Sequence, residues 1–172
     1  MKKDPFVDIV MPNYNKGQYL EESIGSVINQ NYKNWKLIII DNFSNDNSIK
    51  IINNFRASEN KIKLINLKSN KGVAFSRNLG IRLSQSKYIA FLDSDDYWSS
   101  TKLLEQINFM ENKNYVFSYT HYTPFFLRKN IKFFKKEIIP RKSFNFDQFI
   151  NDTSISTSSM IVKRSILKMV FF

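Results

Sequence analysis

Lys87–Trp98, KYIAFLDSDDYW, decides the fold. Its first half is an apolar run of aromatic and β-branched residues bounded by charge, which predicts a buried strand. The strand ends abruptly in Asp93, Asp95 and Asp96, so like charges gather at an edge of the core. Their repulsion disappears when a divalent cation lies between them and a polyanionic substrate. One residue separates Asp93 from Asp95, and on an extended backbone both point to the same side. Asp93 then faces a ribose or a metal-bound water, while Asp95, further out, reaches the metal itself. Oxygen-only ligands suit Mg²⁺ or Mn²⁺, which keep open positions for phosphate oxygens. The alternative is a turn whose Asp residues cap the next helix.

The chain on the N-terminal side separates these alternatives. Phe6–Met11 reads as a first strand stopped by Pro12, which cannot donate to a ladder. After the loop NYNKGQ, Leu20, Ile24, Val27 and Ile28 mark one buried helical face, with Asn15 and Gln18 resembling a capping box at its start. Trp35–Ile40 is a second strand ending in Asp41 and Asn42. A polar loop over Ser44–Ser48, a helix over Ile49–Phe55 and an alternating strand over Lys61–Leu67 repeat the plan. NKG at Asn70–Gly72 breaks the chain before a helix reaching about Ser84, and Lys87–Leu92 is the fourth strand. Strands alternating with helices predict an α/β fold, a mostly parallel sheet flanked by helices and built from right-handed βαβ units. Ligands of such sheets sit beyond the carboxyl ends of the strands. Pro12–Asn15, Asp41–Asn42 and Asp93–Asp96 all fall on that one edge, which favours a site over unrelated turns.

Composition narrows the partners. A length of 172 residues suits one domain with a real core. There is no cysteine, which excludes disulfides and thiolate metal sites, and the apolar run near the N-terminus is expected to be too short to act as a signal peptide or a spanning helix. The formal charge of +11 favours polyanions: a phosphorylated substrate, anionic lipid or nucleic acid. Nucleic acid ranks last, because no recognition motif accompanies the charge. Between Arg128 and Lys142, Arg128, Lys129, Lys132, Lys135, Lys136, Arg141 and Lys142 face the single acid Glu137, with Phe133, Phe134, Ile138 and Ile139 interleaved. That mixture suits either a solvated β-ribbon or a hairpin lying on an anionic membrane. His121, the one histidine, reads as a partly buried structural residue on a strand, and Trp98 as packing for its loop. The aromatic residues in general read as core.

Taken in order, IVMPNYNKGQYLEESIGSVINQNY (Ile9–Tyr32), LIIIDNFSNDNS (Leu37–Ser48), NKGVAFSRNLGI (Asn70–Ile81), YIAFLDSDDYW (Tyr88–Trp98) and KLLEQI (Lys102–Ile107) resemble family 2 glycosyltransferases with the GT-A fold. A weaker likeness continues through FSYTHY and ISTSSMIVKRSIL, as in bacterial cell-surface polysaccharide transferases that attach hexoses. The resemblance implies a single GT-A-like domain over 1–172, with a nucleotide-sugar-binding half at 6–110 and a partial acceptor-side region at 111–172. It implies a nucleotide-diphosphate sugar donor, a UDP-sugar by preference, a divalent Mn²⁺ or Mg²⁺, and transfer with inversion to a hydroxyl of a glycan or lipid-linked acceptor. The location implied is cytoplasmic, with peripheral contact at the inner membrane face.

Carried over by position, Pro12, Tyr14 and Asn15 line the nucleoside pocket, and Asp41 and Asn42 contact the base or ribose. Arg77 approaches the donor, and Asp93 and Asp95 form the metal-binding D-x-D, with Asp95 the more direct metal ligand. Asn42 stands where many members have a second Asp, and Phe43 where the family usually has Gly. The family's general base lies beyond the segment matching SSMIVKRSIL, and this sequence stops at Phe172. The expectation is therefore an incomplete C-terminal part, with Asp147 and Asp152 the remaining substitutes. The alternative to a transferase is an inactive remnant or nucleotide-sugar-binding module.

Overall fold

The computed structural model describes residues 4–129, 131–142, 145–151 and 154–167. The predicted alternation is present: β1 (Val7–Asn13), α1 (Gly17–Ile28), β2 (Trp35–Asp41), α2 (Ser48–Ser58), β3 (Ile62–Asn66), α3 (Val73–Leu83) and β4 (Tyr88–Phe91). There follow α4 (Lys102–Lys113), β5 (Phe117–Ser118), β6 (Phe125–Arg128), β7 (Ile131–Phe134), α5 (Phe146–Asn151), a 3₁₀ turn (Thr157–Ser159), β8 (Ile161–Lys163) and α6 (Arg164–Leu167). One sheet has the order β3-β2-β1-β4-β8-β5, parallel from β3 to β4 and antiparallel from β4 outward. β6 and β7 form a separate antiparallel ribbon.

Burial explains why the first four strands were legible. β1, β2 and β4 are covered on both faces, so nearly all their residues are buried, as in parallel sheets generally. Ile9 and Met11 face one way, into a core with Leu20, Ile24 and Val27 of α1 and Leu103 and Ile107 of α4. Val10 faces the other, with Ile89, Phe91 and Val162. α3 covers this second face at Gly80, where a Cβ would lie 2.3 Å from Val10 Cγ1. Asp8, on the same face and 3% exposed, accepts bonds from the Gln85 and Ser86 amides and the Ser86 hydroxyl, tying the α3–β4 turn to β1. β1 lies between β2 and β4, so the crossovers diverge there and a crevice opens beyond the carboxyl ends.

The predicted capping box does not form. Asn15 takes a left-handed φ of 51° and its side chain accepts the Asn45 amide instead. The start of α1 is satisfied from across the chain: the Gly17 amide donates to Asp46 Oδ2 at 2.9 Å, and Asp46 Oδ1 accepts the Ser48 amide opening α2. Burial raises the pKa of this carboxyl, but the bonds from Ser48 and Gly17 outweigh it and the net shift is downward. At Gly17 a Cβ would lie 1.8 Å from Asn47 Oδ1, so a larger residue there would have to displace the Asn47 side chain. The expectation that aromatic residues are core also needs correcting, since Phe6, Tyr14, Phe43, Phe75, Phe109, Tyr115, Phe126, Phe133 and Phe134 are exposed. Trp98 does pack its loop, buried and donating from Nε1 to the Ser158 carbonyl at 2.8 Å.

Phe43, in the β2–α2 turn, has φ 70°, which costs a side-chain-bearing residue about 1–2 kcal/mol. Glycine would remove that strain and add roughly 0.5–1 kcal/mol of unfolded-state entropy. Phe43→Gly is therefore expected to raise stability by up to about 1 kcal/mol, read as a higher midpoint in urea.

Lys102 sits on the buried face of α4 with its ammonium 4.0 Å from the centre of the Trp98 ring. Its Nζ has no hydrogen-bond partner among the described residues. Burial pushes its pKa down to about 7, and the attraction of the indole face opposes that without replacing lost water. Between about pH 7 and the ordinary lysine value of 10.5 the unfolded chain binds more protons than the folded one, so stability rises with pH across this window. Lys102→Met should remove this slope, with its advantage over the parent shrinking from pH 6.5 to pH 9 in paired thermal melts. Parallel curves would mean that the ammonium stays charged in the fold.

Candidate functional site

At the carboxyl edge of the sheet the end of β1 is joined to the end of β2. Asn13 Nδ2 donates to Asp41 Oδ1 at 2.7 Å and to Ser44 Oγ at 3.2 Å. Asp41 also accepts the Ser44 amide and hydroxyl, at 2.9 and 2.6 Å. It is fully buried with both oxygens engaged, and it holds the β2–α2 turn closed. Asn42, also buried, turns toward the loop before α3. Its Nδ2 donates to Asn70 Oδ1 at 2.7 Å and its Oδ1 accepts the Lys71 amide at 2.8 Å. Asn70 Oδ1 also accepts the Gly72 amide, and Gly72 enters α3 with φ 84°, which glycine adopts freely.

Beyond β4 the carboxylates diverge, each to a partner on a different element. Asp93 pairs with Arg77 of α3, Oδ1 to guanidinium at 2.6 Å. Asp95 pairs with Lys16 of the β1–α1 loop at 2.8 Å. Asp96 accepts the hydroxyl of Ser158, whose oxygen in turn accepts the Asp93 amide at 3.0 Å. The bond to Asp95 raises the Lys16 pKa, against a smaller effect of burial. Burial raises the Asp96 pKa, opposed by the Ser158 bond and reinforced by Asp95 and Asp93.

Two cavities flank this turn. A cleft of about 370 Å³ is lined by Pro12, Asn13, Tyr14, Lys16, Asn42, Asn70, Gly72, Val73, Ser76, Arg77, Asp93, Ser94 and Asp95. A larger one of about 650 Å³ lies between the turn and the β6–β7 ribbon, with Asp95, Asp96, Tyr97, Lys102, His121, Phe125, Glu137 and Ser158 among its walls. Asp95 borders both.

The structure thus gathers Pro12, Tyr14, Asn42, Arg77, Asp93 and Asp95 around one cleft. Asn15 and Asp41 do not line it: Asn15 is bonded to the β2–α2 turn, and Asp41 lies behind that turn. Lys16, Asn70 and Ser76 line it without having been singled out. Lys16 was detectable as the cation in a loop destined for the edge where the carboxylates gather, and Asn70 as part of a turn that closes on the same edge. His121 is exposed and outside any strand, correcting the expectation of a half-buried strand residue, and its Nδ1 lies 2.8 Å from Glu137 Oε1. Asp147 borders a separate depression with Tyr122 and Arg141, so it is not at the cleft. Asp152 lies outside the described residues.

For a metal the donor chemistry fits, as Asp93 and Asp95 offer hard carboxylate oxygens at the rim of the cleft. Among the described residues no group of three His, Cys, Asp or Glu converges, so the chain would furnish only part of a coordination shell. That is the usual arrangement for a cation completed by water and substrate phosphate.

Comparison with known proteins identifies the family and the fold. The profile of Glycosyl transferase family 2 matches residues 8–171. A putative teichuronic acid biosynthesis glycosyltransferase, TuaG, from Bacillus subtilis (strain 168) is 31% identical over 93% of this chain and 63% of its own. The Escherichia coli enzyme WfgD, named UDP-Glc:alpha-D-GlcNAc-diphosphoundecaprenol beta-1,3-glucosyltransferase, is 34% identical over 95% of this chain and 62% of its own. The chain therefore spans a little under two thirds of either relative. In structure, the mannosyltransferase PcManGT from Pyrobaculum calidifontis, solved with GDP-Man and Mn²⁺, superposes over 98% of this chain and 47% of its own with a TM-score of 0.73 at 14% identity, which establishes the GT-A fold. With the profile spanning nearly the whole chain, β1 to β4 in GT-A order and the D-x-D at the carboxyl edge, this chain belongs to glycosyltransferase family 2.

Proposed function

We propose that the smaller cleft binds a nucleotide-diphosphate sugar, a UDP-sugar by preference, and that the larger cavity receives the acceptor. The activity is transfer of a hexose, with inversion, to a hydroxyl of a lipid-linked glycan in cell-surface polysaccharide synthesis. The observation that carries this is the position of Asp95, which walls both cavities and so stands where donor and acceptor meet. The names of TuaG and WfgD support the polysaccharide context and, for WfgD, UDP-Glc and a diphosphoundecaprenol acceptor.

Pro12, Tyr14 and Asn42 form the nucleoside end of the cleft, where Asn42, bonded through Nδ2 to Asn70 and through Oδ1 to the Lys71 amide, keeps one further N–H and one further lone pair for a uracil edge. Asn15 and Asp41 shape this end from behind, through Ser44 and Asn45. Arg77 and Lys16 bring positive charge to the diphosphate end. Asp95, with Asp93 beside it, would hold Mn²⁺ or Mg²⁺, whose chemistry when bound is to neutralise charge developing on the leaving diphosphate. Lys16 must release Asp95 for this, exchanging a half-exposed ion pair for a stronger cation.

One feature favours a binding module without turnover. Of the acids lining the larger cavity, Asp95, Asp96 and Glu137 are each engaged, by Lys16, Ser158 and His121, so a proton acceptor must be freed from a partner. Release of sugar from UDP-glucose in the presence of a lipid-linked acceptor separates the two.

Calorimetric titration with UDP should show binding that strengthens with Mn²⁺, and Asp95→Asn should cost at least roughly tenfold of the Mn²⁺-dependent part, given the worth of a charge-assisted contact. A folded chain that takes up none of UDP, GDP and dTDP would overturn the assignment.

A further inference from the structure

The β6–β7 ribbon has two unlike faces. Its cross-strand pairs are Phe125 with Phe134, Phe126 with Phe133, Leu127 with Lys132 and Arg128 with Ile131. Phe125, Leu127 and Phe134, which line the larger cavity, share one face with Lys132. Lys132, within the basic stretch read as a membrane contact, turns inward: its ammonium bonds Glu22 of α1 and lies 4.1 Å from the centre of the Tyr97 ring. This clamp fixes which face of the ribbon meets the body.

The opposite face is exposed to solvent, with Phe126 also reaching the rim of the larger cavity. Phe126 and Phe133 stack on it with centroids 5.4 Å apart and both are exposed, as are Ile131 and Arg128 beside them. Exposed Lys129 stands at the turn, and exposed Lys135 and Lys136 follow β7. From Phe125 to Lys136 the sequence contains no acid. Stacked apolar side chains ringed by cations, on a strand pair clamped from behind, complement one surface in particular: negatively charged headgroups over an apolar interior.

We infer that the outer face of the β6–β7 ribbon docks on an anionic lipid bilayer, with Phe126, Ile131 and Phe133 entering the interface and Arg128, Lys129, Lys135 and Lys136 meeting its headgroups. So docked, the cavity beside Asp95 lies directly behind the lipid surface, where a lipid-linked acceptor would arrive. That consequence rests on the acceptor assignment proposed above, whereas the vesicle binding does not.

The test is co-sedimentation of the 172-residue chain with vesicles of phosphatidylglycerol and phosphatidylcholine in equal parts, against pure phosphatidylcholine. Binding is expected to the anionic vesicles only and to weaken with salt. The triple change Arg128→Gln, Lys135→Gln and Lys136→Gln should lower the partition coefficient at least roughly tenfold, and Phe126→Ser with Phe133→Ser should do likewise. A charge-matched control, Lys36→Gln, Lys50→Gln and Lys63→Gln, should leave it within about twofold, because those lysines lie away from the ribbon. Equal loss in the control would overturn the inference, since net charge alone would then account for binding. So would equal affinity for both vesicles, or no binding by a chain whose circular dichroism shows it folded. Concentration-dependent self-association abolished by the Phe126/Phe133 change, without vesicle binding, would assign the face to a second copy instead.

Discussion

Three carboxylates at the end of a buried strand are the constraint to which the rest of the molecule answers. Asp93, Asp95 and Asp96 sit so close that each requires its own compensation, and each receives it from a different direction. Arg77 comes from α3, Lys16 from the β1–α1 loop and Ser158 from the 3₁₀ turn preceding β8. These partners are far apart in sequence, so the turn takes this shape only once the parallel sheet has placed α3, the first loop and the late antiparallel strand around β4. Charge in the site and assembly of the fold are in this sense one event. A half-exposed ion pair such as Lys16–Asp95 contributes little to stability in water. Its value lies in holding the carboxylate at the wall between two cavities.

A second layer of the site is almost wholly neutral. Asn13, Asn42, Asn70 and Ser44 link the ends of β1 and β2 to the loop before α3 through side-chain amides and a hydroxyl, with the fully buried Asp41 as the single charge. An amide at position 42 satisfies two groups at once, accepting the Lys71 amide and donating to Asn70, which a carboxylate could not do without protonation. The departure from the family's second Asp is therefore matched by Asn70 across the cleft. No such match exists for Phe43, which keeps the left-handed backbone of a glycine position and carries an exposed ring on it.

A further group of contacts lies outside the sheet. The β6–β7 ribbon turns one face to the cavity beside Asp95 and leaves the other apolar and cationic, and Lys132 decides which is which. Buried Lys102, the Trp98 ring and the Ser158 carbonyl that Trp98 bonds form the hinge of packing between α4 and the carboxylate turn. Ser158 itself carries the hydroxyl that joins Asp93 to Asp96, so helix, turn and cavity wall meet at one residue.

The four parallel strands and their helices could be read from the chain because strands buried on both faces are continuous apolar runs, and because helical spacing of Leu20, Ile24 and Val27 needs no knowledge of what they touch. The D-x-D was legible as the polar end of such a run, but the expectation that both side chains point the same way fails, since Asp93 and Asp95 lie in the turn beyond β4 and diverge to Arg77 and Lys16. Local pattern failed where a group's partner came from elsewhere. Asn15 and Gln18 match a capping box, yet Asp46 supplies the cap. His121 lies in a stretch that suggests a strand, yet it sits exposed beside Glu137. β5 and β8 are too short to show periodicity and exist as strands only because the edge of β4 offers β8 a ladder and β8 in turn offers one to β5. The sequence by itself therefore determined the order of elements, the edge carrying the site and the residue types found there. Tertiary structure alone decided which cation meets which carboxylate, that Asp41 stands behind the cleft and Asn42 within it, and which face of the basic ribbon is open, because each depends on contacts between segments whose separation along the chain leaves no local trace.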